Sequence, residues 1–201
     1  MGNDFTSGLR PALVLTLLFA ILLGIGYPLA MTGLAQAIFP SQASGSLVRE
    51  HADGTGRVIG STVLGQAFTS ERYFQTRPSA AGKGYDALAS AGSNLGPTDT
   101  RLVDRVRTDL ATRRADGVTG PVPGDLVTAS GSGLDPDLSP AAALAQAPRI
   151  ARARGLPEAA VRDLVTRHTD APTLGFLGEA HVNVLALNRD LDRLGGGTAP
   201  R

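Results

Sequence analysis

The sequence of 201 residues contains no cysteine, no tryptophan and few other aromatic residues, six phenylalanines and three tyrosines. The missing cysteine excludes disulfides, cysteine-ligated zinc, iron–sulfur clusters and thiol catalysis. Because aromatics are scarce, any core must be built mainly from valine, leucine, isoleucine and alanine. Charge is also scarce: 19 basic and 18 acidic side chains leave a net charge of +1. Such a balanced chain lacks the basic surface that neutralises phosphates, so the composition predicts no nucleic-acid partner.

Charge is missing altogether from one long stretch near the N-terminus. After Arg10 the next charged residue is Arg49, and residues 11–31 are predominantly apolar. About 20 helical residues, at roughly 1.5 Å each, match a bilayer core of about 30 Å. We therefore predict a transmembrane helix over residues 12–33, with Pro28 expected to kink or end it.

A cleaved secretory signal is the alternative interpretation of this stretch. Residues 35–37, Ala-Gln-Ala, resemble the small-x-small site that signal peptidase accepts. The apolar run is longer than the roughly 7 to 15 residues of a signal's hydrophobic region, and Asp4 accompanies Arg10 where a signal carries a basic cluster. We favour an uncleaved anchor with a cytoplasmic N-terminus.

The rest of the chain is predicted to form a linker and one domain. About 150 residues suffice for one compact domain, and the mixture of helical and strand-like patterns predicts an α+β or α/β fold. The predicted boundaries are a short tail at 1–11, the transmembrane helix at 12–33, a linker at 34–48, an extracytoplasmic soluble domain at 49–194 and a disordered tail at 195–201.

Periodicity and capping residues place the elements of that domain. Residues 57–65 are predicted to form either two short strands joined by a turn or one bulged strand, and further strands are predicted at 122–128 and 181–184. Helices are predicted at 99–114, at 140–155, from Pro157 onward and at 185–194. The first of these helices has Thr98 or Thr100 as its expected N-cap, and its arginines, including Arg113, are expected to face outward.

Candidate catalytic groups are few. His51, His168 and His181 are more than ten residues apart and form no metal-binding spacing, so no metal site is expected. Ser130 and Ser132 lie in a glycine-rich loop, but that loop does not match Gly-x-Ser-x-Gly. A membrane-anchored or secreted serine hydrolase using one of these serines is the alternative function.

Two loops rich in serine and glycine, residues 77–94 and 128–135, contain nothing needed to fill a core. We name them the first and the second polar loop. Such loops can present backbone N–H groups and hydroxyls to an anion or a partner. They are also typical of tight turns, which is the interpretation that we favour. Both interpretations stay open at the level of sequence.

Short blocks along the chain occur in an order that is typical of one family. The blocks are Leu9-Arg-Pro-Ala12, Gly60-Ser61 with Leu64-Gly-Gln66 and Phe68, Tyr73-Phe74 with Arg77-Pro-Ser79 and Tyr85, Ser93-Asn-Leu95, Val127 to Asp135 with Ser139-Pro140, Pro148-Arg149 with Ala153-Arg154, and Val182-Asn-Val184 with Leu187-Asn188 and Leu191-Asp192. On these blocks the sequence resembles the KdpC family, the C subunits of Kdp potassium-transporting P-type ATPases.

The resemblance implies a non-catalytic accessory subunit of a bacterial inner-membrane complex that imports potassium. Its implied partners are a channel-like potassium-carrying subunit, a P-type ATPase subunit, a small peptide subunit and the lipid bilayer. No intrinsic cofactor is implied, and ATP would enter only through the complex. In the family this subunit has been proposed to act as a catalytic chaperone that raises the ATP affinity of the pump. A soluble domain across the membrane from ATP cannot touch the nucleotide, so we favour an assembly role.

The resemblance and the polar loops together select candidate contact residues, and no catalytic or metal-binding residue is expected. The candidates for contact with a partner or ligand are Arg77, Ser79, Tyr85, Ser93, Asn94, Ser130, Ser132, Asp135 and Gln146. Ala91 stands where the family pattern predicts glycine, which puts in doubt an anion cradle in the first polar loop.

Overall fold

A computed structural model of the chain describes residues 2–50 and 56–194. The chain divides into two compact units, Met1–Leu47 and Val48–Arg201. The predicted disordered tail at 195–201 lies outside the described residues, as does His51. The boundaries proposed from sequence for tail, span, linker and domain stay predictions.

The first unit is helical. Helix α1 (Gly2–Ile21) continues into a π-helical turn (Leu22–Gly26) and then into α2 (Tyr27–Ile38), after which comes the short α3 (Pro40–Ala43). Within the described chain, Ser7–Ile38 is the one helical stretch long and apolar enough to cross a membrane.

Pro28 does not end this helix, although the sequence allowed for that outcome. A proline ring collides with the carbonyl four residues earlier in a regular α-helix. Directly before Pro28 the helix widens, and the Tyr27 N–H bonds to the carbonyl of Leu22, five residues back. The wider turn gives the ring room, so the helix continues to Ile38.

The second unit contains both helices and strands, which confirms the predicted α+β class. The elements that follow α3 are, in chain order, β1 (Leu47–Arg49), β2 (Val58–Ser61), α4 (Thr100–Ala115), β3 (Asp137–Leu138), α5 (Pro140–Arg154), α6 (Glu158–Arg167), β4 (Thr169–Asp170), β5 (His181–Asn183) and α7 (Val184–Leu194). Strands β1 and β2 pair with each other, and β5 lies between β3 and β4, antiparallel to both.

The core lies where α5, α6 and α7 pack together with β5. Its buried side chains are aliphatic or alanine, as the composition predicts, and Phe74 is the one buried aromatic among the described residues. Burying each large apolar side chain contributes about 1.5–3 kcal/mol before the entropy of ordering is subtracted. The alanines of α5 let its neighbours approach closely; they are Ala142, Ala143, Ala147 and Ala151.

Both ends of α5 confirm the sequence prediction. The hydroxyl of Ser139 accepts the Ala142 N–H at 3.1 Å, and Pro140 occupies the first helical position. At the other end Gly155 adopts φ +67°, the left-handed geometry that closes helices. The helix predicted from Pro157 is also present as α6, and residues 181–194 form a strand and then a helix, as predicted.

Three local predictions are wrong. Residues 122–128 form no strand but a 3-10 turn at Gly124–Leu126, closed by the Leu126 N–H on the Pro123 carbonyl. The N-cap of α4 is neither Thr98 nor Thr100. It is Asp99, whose carboxylate accepts the Arg101 N–H at 2.9 Å and is a better cap than a threonine.

The third error concerns Arg113, which does not face outward. Its side chain is largely buried and donates to the amide oxygen of Gln75 and to the carbonyl of Leu126. The helical pattern identified α4 but could not show which arginine the loops would cover. Within residues 57–65 there is one short strand, Val58–Ser61, followed by a turn, so the second strand or longer bulged strand predicted there is absent.

Candidate functional site

The structure brings the two polar loops into direct contact. Arg77 Nη1 lies 2.9 Å from Asp135 Oδ2, and both side chains are about three-quarters buried. Two residues along, the hydroxyl of Ser79 donates to the carbonyl of Gly133 at 2.6 Å. These bonds join residues 58 and 54 positions apart, so three of the sequence candidates, Arg77, Ser79 and Asp135, lie close together.

Backbone groups tighten the same junction. The carbonyl of Ser132 accepts the Ala91 N–H at 3.0 Å and the Ser90 hydroxyl at 2.9 Å. A Cβ at Gly133 would lie 2.6 Å from the Ala91 carbonyl oxygen and 2.7 Å from the Ala81 nitrogen, and Gly133 has φ +67°. Only glycine fits such a backbone crossing.

The hydroxyl of Ser79 organises the first polar loop. Besides donating to the second loop, it accepts the Tyr85 N–H at 2.8 Å and the Ala81 N–H at 3.2 Å. Tyr85 itself adopts φ +57°. A serine that bridges its own backbone in this way is typical of a tight turn, so the Ser79 hydroxyl is occupied by the fold.

The phenol of Tyr85 is also engaged inside the loop. It donates to the carbonyl of Arg77 and accepts from the hydroxyl of Thr76. Burial raises the pKa of Tyr85, while the bond from Thr76 opposes that shift. The phenol therefore stays protonated and acts as a donor that supports the loop.

A cavity of about 390 Å³ opens beside the Arg77–Asp135 pair and has acidic walls. One wall residue, Asp125, accepts the Ser139 N–H at 2.7 Å and the Ser139 hydroxyl at 3.1 Å. Burial raises the pKa of Asp137, and a bond from Asn183 opposes the shift. These carboxylates are held by protein donors, and no cluster that could hold a metal ion occurs in the described part of the chain.

Gln146 lies apart from this junction, in a buried polar cluster. It is 2% exposed, accepts the Gln75 N–H at 2.9 Å and donates to the Gln75 carbonyl at 3.0 Å. Asn188 makes the same pair of bonds to the N–H and carbonyl of Phe74, both at 2.9 Å. Two side-chain amides thus satisfy the backbone N–H and carbonyl groups of an extended segment, as a neighbouring strand would in a sheet.

Arginines hold the remainder of that segment, residues 71–76, which we name the strapped segment. Arg149 donates to the carbonyls of Glu71 and Tyr73, and Arg154 donates to the Arg72 carbonyl at 2.6 Å. Burial lowers the pKa of Arg149, and nearby acidic charges oppose the shift. Sequence reasoning selected Gln146 but missed the other members of this cluster, although an asparagine on the apolar face of α7 was a signal for it.

The remaining sequence candidates lie at the margin of the site. Asn94 is exposed with φ +51°, Ser93 is half-buried, and in the described structure neither side chain bonds to the second polar loop. Ser130 is buried, and the hydroxyl of Ser132 accepts the Leu134 N–H at 3.1 Å.

The two described histidines make their bonds elsewhere. His168 Nε2 lies 3.0 Å from Asp190 Oδ2, and His181 Nδ1 lies 3.1 Å from the carbonyl of Glu179. Within the described ranges, neither imidazole is hydrogen-bonded to Ser130 or Ser132. A serine nucleophile needs a base within hydrogen-bond reach, and neither of these histidines supplies it here.

Comparison with known sequences shows which proteins this chain is similar to. Residues 9–193 match the family described as "KdpC: K+-transporting ATPase, c chain". The chain is 57% identical to the potassium-transporting ATPase KdpC subunit of Caulobacter vibrioides, over 92% of this chain and 93% of that protein. The KdpC subunit of Acidobacterium capsulatum is 56% identical over 92% and 98% of the two chains, and that of Methylobacterium nodulans 54% identical over 94% and 98%.

Proposed function

The chain belongs to the KdpC family of potassium-transporting ATPase subunits, and on that premise we propose that it is a non-catalytic subunit that assembles and stabilises its complex. The observation that supports this role is that the polar side chains of the two loops are already hydrogen-bonded within the fold. Their serine, tyrosine and aspartate groups bond mainly to one another and to the backbone. Such groups build a rigid surface for a partner and leave no activated nucleophile.

The proposed partners are the potassium-carrying channel-like subunit, the P-type ATPase subunit and the small peptide subunit. The apolar helix Ser7–Ile38 offers one interface, because a lone helix of this kind can pack against other membrane helices. Gly24 and Gly33 lie on it with open space where a Cβ would be, and Gly26 lies close by in sequence. Small residues let helix backbones approach closely.

The proposed location is a bacterial inner membrane, with the N-terminus in the cytoplasm and the soluble domain outside it. Arg10 lies directly before the apolar run, and no further charge follows until Arg49. Basic residues close to the end of a span favour the cytoplasmic side. The possible cleavage site at residues 35–37 lies within α2, whereas a protease needs its site extended. The helical conformation of this site favours a permanent anchor over a removed signal.

The proposed contact surface of the soluble domain is the junction of the two polar loops. Arg77 and Asp135, the ion pair that joins the loops, stay partly accessible there, and Lys83 and Asp86 of the first polar loop are exposed. Ser79 and Tyr85 would contribute indirectly, because their hydrogen bonds hold the backbone of the first polar loop in shape. Gln146 would act more remotely, by fixing the strapped segment that leads into the first loop.

The same function leaves two routes by which this chain could affect ATP binding: direct contact with the nucleotide, or an effect on the subunit that binds it. A soluble domain outside the cytoplasm is separated from ATP by the membrane. We therefore propose that any effect on the ATP affinity of the pump is transmitted through the assembled subunits.

The test is purification of the full-length, affinity-tagged chain in mild detergent from cells starved of potassium. We expect the P-type ATPase and potassium-carrying subunits to co-purify in a constant ratio. A Ser130→Ala/Ser132→Ala double variant should retain them, whereas a serine hydrolase would lose its activity in that variant. An eluate that lacks a P-type ATPase subunit contradicts the proposal. Saturable ATP binding by the chain alone would contradict the indirect route to ATP.

A further inference from the structure

The loop between β4 and β5 exposes three large apolar side chains next to one another. Leu174, Phe176 and Leu177 are 78%, 73% and 51% exposed. Single exposed apolar residues are common on protein surfaces and need no explanation. Three in four consecutive positions form a patch of the kind that marks an interaction site. We name these three residues the apolar tip.

The apolar tip is held in one shape by its own backbone. Thr173 and Leu177 exchange two hydrogen bonds, each 2.9 Å long, and the Gly175 N–H donates to the Pro172 carbonyl at 2.8 Å. Leu174 adopts φ +56°. That conformation is costly for a residue with a bulky side chain, and such strain is commonly found where a loop presents groups to a ligand.

The charges around the apolar tip argue against a lipid surface as its binding partner. Residues 169–180 contain Asp170 and Glu179 but no lysine or arginine. Membrane surfaces that contain anionic lipids attract basic segments. An acidic rim would be repelled from such a surface and would fit a partner whose own rim is basic.

The size of the apolar tip argues against a second copy of this chain. A stable interface buries about 800 Å² on each partner, and one phenylalanine with two leucines falls well short of that area. So small a contact is sufficient only where something else keeps the partners together. The membrane helix of an assembled subunit does this by raising the effective concentration of the domain.

We propose that the apolar tip inserts into an apolar, basic-rimmed cleft on another subunit of the same potassium-transporting ATPase. The proposal rests on the proposed function, since it requires that the chain assembles with such subunits. The tip itself lies outside both polar loops, and Glu179 beside it lines the same cavity as Arg77 and Asp135, so the tip would extend the contact surface of the soluble domain.

The decisive experiment places a photo-crosslinking amino acid at position 176 of the full-length chain in the intact complex. The matched control carries it at Val63, which is 58% exposed in a different turn. We expect a crosslink from position 176 to another subunit, identified by mass, and at least fivefold less from position 63. A crosslink only to lipid or to a second copy, or none at all, overturns the proposal when the subunits still co-purify. Failure of the unmodified chain to co-purify overturns the proposed function as well.

A second measurement tests whether the contact holds the domain in place. The variant Phe176→Ser/Leu177→Ser should leave an immobilised complex roughly five to ten times faster during detergent washing than Val63→Ser, because central apolar anchors dominate dissociation rates. Equal rates for the two variants would contradict the proposal.

Discussion

At the scale of single residues, two buried side-chain amides hold the strapped segment against helices α5 and α7. Phe74 and Gln75 have backbone groups that no strand satisfies, and an unpaired buried N–H or carbonyl costs about 1–3 kcal/mol. Asn188 and Gln146 pair with them through both atoms of each amide. The fold thus depends on residues that contribute no apolar area.

Replacing Asn188 with leucine should therefore destabilise the chain strongly. Leucine has a similar size but leaves the N–H and the carbonyl of Phe74 without partners. We expect a loss of about 2–4 kcal/mol, measured by urea unfolding of the detergent-solubilised chain.

The control for this experiment is Gln42→Leu, which removes an exposed amide. It should change the free energy of unfolding by less than about 0.5 kcal/mol. If Asn188→Leu is as stable as the control, the two bonds to Phe74 do not hold the strapped segment.

Residue types in the candidate site could be chosen from sequence, but their pairing could not. Arg77 and Asp135 were both candidates, yet a salt bridge between positions 58 apart leaves no local pattern. Ser79 was also a candidate, and the structure assigns its hydroxyl to turn formation. The reason is that a polar side chain has the same sequence signature whether its partner is a ligand or its own backbone.

At the scale of elements, capping signals were the most reliable guide. Ser139, Pro140 and Gly155 delimit α5 where the sequence indicates, because each acts on neighbours only a few residues away. Residues 122–128 were misassigned, because a short apolar run with a central Pro-Gly pair fits either a strand or a turn. Here the turn is closed by bonds between residues three apart.

The cap at Gly155 leads to a test. Gly155→Ala should lower stability by about 1 kcal/mol, because φ +67° is strained for any residue with a Cβ although open space surrounds it. The matched control is Gly96→Ala, where a Cβ also meets nothing within 4 Å and no positive φ is required. Thermal unfolding of both variants separates the two cases, and equal midpoints would show that α5 does not need the left-handed cap.

At the scale of the whole molecule, the N-terminal helix decides where the chain functions. If Ser7–Ile38 is a permanent anchor, the mature protein should keep its first 37 residues and resist extraction from membranes at alkaline pH. Intact-mass measurement of the purified chain checks this directly.

A variant provides the matching control for that measurement. Leu18→Arg places a charge near the middle of the apolar run and should reduce insertion, at a cost of about 2.5–3.5 kcal/mol, whereas Gln42→Arg lies beyond α2 and should not. A mature N-terminus at Ile38 would show instead that the segment is a removed signal.

The apolar helix, the mixed class of the domain, the ends of α5 and the family could all be predicted from the residues, because each of these depends on local pattern or on residue identity along the chain. Which polar groups meet could be seen only in the folded chain. The pairing of Arg77 with Asp135, the strapped segment and the apolar tip depend on contacts between distant positions and on what the fold leaves uncovered. Burial and hydrogen-bond satisfaction are properties of the packed chain, so no local pattern can specify them.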